Sequence, residues 1–198
     1  MTSPALPFAR LRRFYKSATA SEVPGGYAVF LDARQLKTPA GVPMILPRRG
    51  LAEALAEEWQ AQAGEIQPRT MRLMQLVSTA IDHVAARRSE FVDEVAGYAA
   101  TDLVCYRVDH PEELAKRQQT AWQPLVDWAT LQYDAPLVVT NTILPARQPE
   151  GALGALRAAV ARLDPLTLTG LHAAVQACGS LILGLAVLEG RLSPAEAW

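Results

Sequence analysis

The hydrophobic pattern of this chain changes its period once, near Pro47, and that change divides the sequence into two parts. Before Pro47, short β-prone runs alternate with turns rich in Pro and Gly, which is typical of a small antiparallel sheet. After it, apolar residues recur every three or four positions, which is typical of amphipathic helices. We therefore predict an α+β protein, with a small antiparallel β-rich N-terminal domain over residues 1–47 and a larger all-α C-terminal domain over residues 48–198.

Three or four short strands are predicted in the first part. Residues 27–31 (Tyr-Ala-Val-Phe-Leu) follow a turn at Pro24-Gly25-Gly26 and are connected by Asp32-Ala33 to a second strand over residues 35–38. Residues 44–46 form a further strand after another turn. A sheet of this size requires cover on one face, which the helices would have to supply.

The first helix is predicted over residues 51–62, with Leu51, Leu55 and Trp59 in one stripe. Further helices are predicted over residues 73–84, over residues 91–98, from residue 109 onward, and over residues 149–163 and 166–188. The last of these is nearly apolar all round and is therefore expected to be central. Pro124 should kink the helix that begins near residue 109 or begin a new one. Residues 103–107 fit a strand or a helix end, and residues 137–140 fit an extended segment or a loop.

The end of the chain carries a helix start. Ser193-Pro194-Ala195-Glu196 supplies an N-cap, a proline at the first helical position and an acid in the first turn. The chain stops two residues later, so we expect the natural protein to continue.

The net charge of −1 argues against a general nucleic-acid binder, yet it hides a division. Residues 1–50 contain 8 Lys and Arg against 2 Asp and Glu, whereas residues 51–198 contain 11 against 18. We expect a basic N-terminal part joined to an acidic remainder, an arrangement that orients a charged partner.

Targeting signals and metal sites are not predicted. The two cysteines, Cys105 and Cys178, indicate free thiols in a reducing compartment. The three histidines are scattered, and neither a CxxC nor an HExxH pattern occurs. Residues 1–16 lack the apolar core of a secretory signal, and the apolar stretch 173–188 is too short and interrupted to span a bilayer. These features predict a cytoplasmic protein without a metal or other cofactor.

Candidate catalytic groups are few, and each has a structural alternative. Glu57 and Glu58 are adjacent on a helix and so do not face each other, which favours a solvated acidic face. Cys105 lies near Asp102 and His110 in sequence, and a thiol- or carboxylate-dependent enzyme centred on Cys105 is the alternative function. That alternative requires an exposed Cys105 in contact with His110.

A basic and aromatic cluster at residues 8–16 permits a second alternative. Arg10, Arg12, Arg13 and Lys16 alternate with Phe8, Phe14 and Tyr15, as on surfaces that bind single-stranded nucleic acid. A basic arm that docks on an acidic protein explains the cluster equally well.

Several segments, taken in order, resemble one family. They are residues 13–16 (Arg-Phe-Tyr-Lys), 31–39 (Leu-Asp-Ala-Arg-Gln-Leu-Lys-Thr-Pro), 51–52 with Glu58, Trp59 and Gln62, 79–82 (Thr-Ala-Ile-Asp), 98–107 (Tyr-Ala-Ala-Thr-Asp-Leu-Val-Cys-Tyr-Arg), Pro111, Leu114, Gln118, Trp122, Pro124 and Trp128, and 179–183 (Gly-Ser-Leu-Ile-Leu). Their order and spacing resemble the ATP synthase assembly chaperone family. The resemblance covers the chain from about residue 13 to its end.

The resemblance implies a non-enzymatic, nucleotide-independent chaperone of two parts, one β-rich and one all-α. Such a protein binds the free alpha subunit of the ATP synthase catalytic head and masks its subunit interface until the beta subunit replaces it. The implied site of action is the bacterial cytoplasm, with no nucleic-acid, membrane or small-molecule partner. The chain departs from the family at Ala33, where glycine is usual, and at residues 71–74, where Met-Pro-Leu-Thr is usual.

Two groups of residues are candidates for roles in such a protein. Trp59 is expected to be a structural anchor of its helix, so that Trp59→Arg places a charge in apolar packing. The candidates for contact with the partner are Arg34 and Lys37 on a basic face, and Asp102, Tyr106 and Arg107 in a polar groove. Each of the five could equally form a local salt bridge or cap.

Overall fold

A computed structural model describes residues 12–142 and 144–198 and divides the chain into two compact units, Met1–His83 and Val84–Trp198. The first contains a three-stranded antiparallel sheet and two helices, and the second is helical. The predicted α+β class is confirmed, with the sheet N-terminal and the helices following it.

The sheet has strands β1 (Ala18–Val23), β2 (Gly26–Leu31) and β3 (Arg34–Gln35) in that order. In the register, Ala18 lies opposite Leu31 in one pair and Phe30 lies opposite Gln35 in the other. Beyond β3 the pairing continues only as single bridges, Lys37 with Pro43 and Tyr27 with Leu46. The strand predicted over residues 35–38 is therefore reduced to β3, and the one predicted over residues 44–46 is reduced to the single bridge at Leu46. Pro43 has no N–H with which to extend the ladder opposite Lys37.

Two helices complete the first unit: α1 (Arg49–Gln60), which contacts β1 and β2, and α2 (Arg72–Thr79), which contacts α1. The buried side of α1 is formed by Ala52, Leu55, Ala56 and Trp59. Here the structure differs from the predicted boundary after residue 47, because the sheet obtains its cover from α1 and the compact unit extends to His83. A π-helical turn over Ala80–Val84 follows α2.

The second unit contains α3 (Arg88–Gly97), α4 (Glu112–Tyr133), α5 (Glu150–Val160), α6 (Pro165–Cys178), α7 (Leu181–Leu188) and α8 (Pro194–Ala197). Its core is built around α6 and α7, and α7 is buried along most of its length, as its composition predicts. The largest fully buried side chains of this unit are Leu156, Leu168, Leu171, Leu181 and Ile182.

The single helix predicted over residues 166–188 is wrong, because the structure divides it into α6 and α7. Gly179 ends α6 with a φ of +66°, a left-handed conformation that glycine adopts without strain. Ser180 then caps α7, where its side chain accepts a hydrogen bond from the backbone N–H of Leu183 at 3.0 Å. A glycine that ends one helix is followed directly by a serine that caps the next, and this local signal could have been recognised in the sequence.

The structure decides two points that the sequence left open, Pro124 and residues 103–107. α4 is one helix that contains Pro124, so no new helix begins there. Leu103–Cys105 forms a 3-10 turn, after which Tyr106 pairs with Thr140 in a parallel bridge. At the end of the chain, Ser193 and Glu196 form a capping box at the start of α8, as predicted.

Candidate functional site

Asp102 is a buried structural centre of the helical unit, with 0% of its surface exposed. Its Oδ1 accepts hydrogen bonds from Ser180 Oγ at 2.5 Å and from the N–H of Val104 at 3.2 Å, and its Oδ2 accepts one from the N–H of Ile182 at 3.1 Å. Burial raises the pKa of Asp102, and these hydrogen bonds oppose that shift. The carboxylate joins the turn after α3 to the start of α7, so this candidate contact residue lies inside the protein and cannot face a partner.

Arg107 borders a groove of about 680 Å³, together with Lys116 and Asn141. The arginine is only 9% exposed; its Nε donates to the Val104 carbonyl at 3.1 Å and its Nη1 to Gln119 Oε1 at 2.8 Å. Burial lowers the pKa of Arg107. Of the three residues predicted to share a groove, only Arg107 lines this one; Asp102 and Tyr106 are not among its lining residues.

Tyr106 is half-buried beside this segment, and its hydroxyl oxygen accepts a hydrogen bond from the N–H of Ala146 at 3.2 Å. The remaining two candidates, Arg34 and Lys37, are exposed in the first unit, at β3 and at the bridge to Pro43. Of the five candidate residues, two belong to the first unit, and Asp102, Tyr106 and Arg107 belong to the second.

Cys105 does not have the surroundings of a nucleophile. Its side chain is fully buried, and burial, reinforced by the negative charge of Asp102, raises its pKa to about 12. His110 is exposed at the surface, whereas Cys105 lies in the core. Because a nucleophilic cysteine requires an accessible thiolate, the structure contradicts the enzyme centred on Cys105.

The basic cluster at residues 8–16 is only partly described, because Phe8 and Arg10 lie outside the described residues. Arg13 makes hydrogen bonds within the first unit: its Nε donates to the Tyr15 carbonyl at 3.0 Å and its Nη1 to the Gln62 carbonyl at 2.7 Å. Its guanidinium also lies 4.6 Å from the centre of the Tyr15 ring. Arg13 thus joins the segment before β1 to the residues that follow α1.

Trp59 lies at the end of α1 and is 7% exposed. Its indole meets the Tyr15 ring edge-on at 5.7 Å, and the Tyr15 hydroxyl donates to the Trp59 carbonyl oxygen at 2.7 Å. The tryptophan thus packs where α1 meets the segment before β1, which is the burial that its proposed anchoring role requires.

Glu58 and Glu57 have different surroundings. Glu58 accepts hydrogen bonds from the backbone N–H groups of Leu73 at 2.9 Å and Met74 at 2.8 Å, which places its carboxylate at the start of α2. Glu57 is exposed. Glu58 therefore satisfies donors that the first turn of α2 leaves free, at the segment where this chain departs from the family pattern.

A cavity of about 470 Å³ lies beside Trp59, and we call it the Trp59 cavity. Ile66, Met71 and Met74 are among its apolar lining residues, and a second set, Trp59, Ser78 and Asp82, also borders it. Three buried atoms of this second set, Trp59 Nε1, Ser78 Oγ and Asp82 Oδ1, have no hydrogen-bond partner. The sequence analysis did not single out Ser78 or Asp82, although residues 79–82 are among the segments of the resemblance.

Other kinds of site find no support in the part of the chain that the structure describes. There, His, Cys, Asp and Glu side chains form no group of three that could hold a metal ion. In the same residues, every helix is too short or too polar to cross a membrane.

Comparisons with known proteins agree with one another. A family model described as the ATP12 chaperone protein matches residues 12–130. The crystal structure of Atp12 from Paracoccus denitrificans is 44% identical in sequence, with a TM-score of 0.89 over 94% of this chain and 80% of that one. The Atu1473 protein from Agrobacterium tumefaciens is 37% identical, with a TM-score of 0.88 over 94% of this chain and 70% of that one. The Schizosaccharomyces pombe protein named atp12, mitochondrial, is 24% identical over 98% of this chain and 71% of its own length.

Proposed function

The chain belongs to the ATP12 chaperone family, and from this premise we propose that it binds the unassembled alpha subunit of the ATP synthase catalytic head. It masks the subunit interface of that polypeptide until the beta subunit replaces it. The observation that carries the proposal is the similarity to Atp12 of P. denitrificans, at 44% identity over 94% of this chain.

The physical basis of such a role is mass action. An unassembled subunit exposes an interface that its neighbour should cover, and exposed apolar surface of this kind aggregates. A partner that binds the interface reversibly lowers the concentration of the exposed form. The beta subunit must finally displace this partner. The interface between the partner and the alpha subunit should therefore be modest in area and partly polar.

The division of charge supports a role in orienting the two proteins. The basic first part and the acidic remainder would steer the encounter, an effect that acts on the association rate more than on affinity. We propose Arg34 and Lys37 as contacts of the first unit, since both are exposed. In the helical unit we propose Tyr106 and Arg107, beside the 680 Å³ groove.

Binding and release would use no bond-making chemistry, so we propose a protein that is not an enzyme and needs no cofactor. The partner is another polypeptide rather than a nucleic acid, a membrane or a small molecule. The similarity to proteins of Paracoccus and Agrobacterium supports the bacterial cytoplasm as the proposed site of action.

The test is co-purification with separately expressed alpha and beta subunits, followed by light scattering of alpha alone. We expect the protein to retain alpha and to suppress its aggregation. Beta alone should not be retained, and added beta should displace the protein from alpha. An alpha subunit that is not retained, and that aggregates at the same rate with and without this protein, would overturn the proposed function.

The proposed contacts are tested in the same assay by charge reversal. Arg34→Glu and Lys37→Glu should slow association with alpha, most strongly at low salt, because salt screens the attraction. Arg162→Glu, also at an exposed position, is the matched control in the helical unit. Equal association rates for all three variants would remove Arg34 and Lys37 from the interface.

A further inference from the structure

We propose that the outer edge of β1 accepts one extended segment of a partner polypeptide as a fourth strand of the sheet. The inference rests on the proposed function for the source of that segment, which would be the unassembled alpha subunit. The hydrogen bonds of the sheet itself define the edge and the kind of ligand that it fits.

The register of the sheet fixes which backbone groups of β1 face outward. The N–H of Asp32 donates to the carbonyl oxygen of Ser17 at 2.9 Å, so Ser17 and Asp32 form a hydrogen-bonded pair one position before β1 begins. Hydrogen-bonded and non-hydrogen-bonded pairs alternate along an antiparallel ladder. Every second residue after Ser17 therefore turns its N–H and C=O toward β2. The residues of β1 whose backbone groups point away from β2 are Ala18, Ala20 and Glu22.

One contact of Ala18 agrees with this direction and marks where the free edge begins. The N–H of Ala18 donates to Oε1 of Gln60, a residue of α1, at 2.8 Å. Among the described residues, none accepts from the N–H of Ala20 or Glu22, and none donates to their carbonyl oxygens. The edge therefore offers two sets of backbone donors and acceptors, spaced about 7 Å apart along the strand.

This edge lacks the features by which proteins usually prevent pairing with other chains. None of the six residues of β1 is buried, the strand contains no proline or lysine, and its ladder with β2 has no bulge. Glu22 carries its only charge. On the other side of β2 the pairing is continued by the protein itself, since Tyr27 and Leu46 exchange two hydrogen bonds at 2.9 and 2.7 Å. The edge open to a further strand is therefore that of β1.

The free groups of the edge determine the class of ligand. Donors and acceptors that alternate at this spacing are matched by the backbone of another extended chain, as in the addition of a strand to a sheet. A helical segment has already used its backbone groups in its own hydrogen bonds. A cation or an anion satisfies only the acceptors or only the donors. An extended polypeptide segment is the ligand that satisfies both.

A second copy of this chain fits the edge less well than a different polypeptide. In the symmetric antiparallel pair that uses all the outward groups, Ala20 of the two copies would face each other and Ala18 would face Glu22 at both ends. That arrangement requires the N–H of Ala18, which Gln60 already holds. A hydrogen bond would be missing at both ends of the symmetric pair, whereas a strand of a different polypeptide loses it at one end only.

The first measurement is hydrogen exchange, read residue by residue, of the full chain alone and with intact alpha subunit. In the free protein, the amides of Ala20 and Glu22 should exchange fast, whereas those of Thr19 and Ser21, which donate to β2, should be protected. With saturating alpha, we expect exchange at Ala20 and Glu22 to slow about tenfold or more, in line with one new hydrogen bond each. Thr19 and Ser21 of the free protein serve as the reference for a paired amide in the same strand.

The second measurement removes one donor of the edge. Ala20→Pro deletes an N–H that β2 does not use, and proline is tolerated on the free side of an edge strand. We expect Ala20→Pro to bind intact alpha about tenfold more weakly, with a melting temperature close to that of the wild type. Ala20→Ser keeps the N–H and is the matched control, which should bind as the wild type does. Ser21→Pro deletes an N–H of the ladder and should lower the melting temperature instead.

The inference requires both slower exchange at Ala20 and Glu22 and weaker binding by Ala20→Pro; if the melting temperature of that variant falls, the exchange result decides alone. If wild type binds alpha without these effects, the inference is overturned while the proposed function stands. Protection of both amides in the free protein would also overturn it, because this chain, or a second copy where protection grows with concentration, would then occupy the edge. If wild type does not bind alpha at all, the proposed function fails and this inference fails with it.

Discussion

Two aspartates, one in each unit, differ in how their carboxylates are paired: Asp102 is fully buried, whereas Asp82 is only partly buried. In the helical unit, Asp102 accepts three hydrogen bonds, from Ser180, Val104 and Ile182, and neither oxygen is left unpaired. In the first unit, Asp82 accepts one from Ala40 through Oδ2, while its Oδ1 is buried without a donor.

This difference separates a carboxylate with both oxygens paired from one with a single oxygen paired. A buried carboxylate with all its acceptor sites occupied fixes the elements around it, because breaking any contact leaves an uncompensated group. A buried oxygen without a partner instead lowers the stability of the fold.

The largest effect is expected for Trp59→Arg, which would break the first unit. Replacing a buried tryptophan by a smaller side chain costs about 3–5 kcal/mol, and an unpaired charge in the same place adds to that cost. The melting temperature should fall steeply. Trp198→Arg is the matched control, since Trp198 is 88% exposed and its replacement should leave the melting temperature unchanged. A wild-type melting temperature for Trp59→Arg would remove the anchoring role.

Asp102→Asn tests the other side of the comparison. An amide has one acceptor oxygen instead of two, so at least one of the Ser180, Val104 and Ile182 donors loses its partner. We expect the free energy of unfolding to fall by about 2–4 kcal/mol, measured by urea denaturation. Asp102→Asn should therefore destabilise the protein, whereas Asp82→Asn should not. Equal effects of the two substitutions would contradict the distinction between a satisfied and an unsatisfied carboxylate.

Glu58→Gln tests whether the Glu58 carboxylate caps the start of α2 in the first unit. The glutamine keeps one acceptor but loses the negative charge at the start of α2, so we expect a loss of about 1 kcal/mol in urea denaturation. Glu57→Gln is the control one residue away, because Glu57 is exposed. Indistinguishable unfolding curves for Glu57→Gln and Glu58→Gln would show that Glu58 does not act as a cap.

The smallest effect concerns Asp32, an exposed residue of the first unit. The N–H of Ser17, above all, and the N–H of Lys16 donate to its carboxylate and hold the pKa of Asp32 below its ordinary value. A group whose pKa is lower in the folded state stabilises the protein above its unfolded pKa and loses that contribution as the pH falls through the folded value. The difference in melting temperature between wild type and Asp32→Asn should therefore be present at neutral pH and shrink on acidification. A difference that is constant across the acidic range would exclude this contribution.

Much of the fold could be predicted because its signals are local. The turn at Pro24-Gly25-Gly26, the stripe of Leu51, Leu55 and Trp59, and the capping box at Ser193 each depend on residues within a few positions of one another. The position of the unit boundary could not be predicted in this way. It follows from α1 packing on a sheet too small to stand alone, which is a contact between distant segments.

The burial of the candidate site residues also depends on contacts between distant segments, so it could not be predicted from local patterns. Arg34 and Lys37 are exposed as a basic surface requires, whereas Asp102 is buried and Cys105 lies in the core. Burial depends on which segments cover a side chain, and for Asp102 these include Ser180 and Ile182, far along the sequence. Residue type alone did not distinguish a carboxylate at a surface from one at the centre of a core.

The α+β class, the order of the two parts, most helices and the resemblance to a chaperone family could be predicted from the sequence. They depend on the hydrophobic period, the turn residues and the order of motifs, which are local features of the chain. The three hydrogen bonds of Asp102 could be found only in the folded structure. The same holds for the cavity that Trp59, Ser78 and Asp82 border, and for the unpaired side-chain atoms of these residues. The reason is physical: whether a polar group is satisfied depends on distances between residues far apart in sequence, which no local pattern specifies.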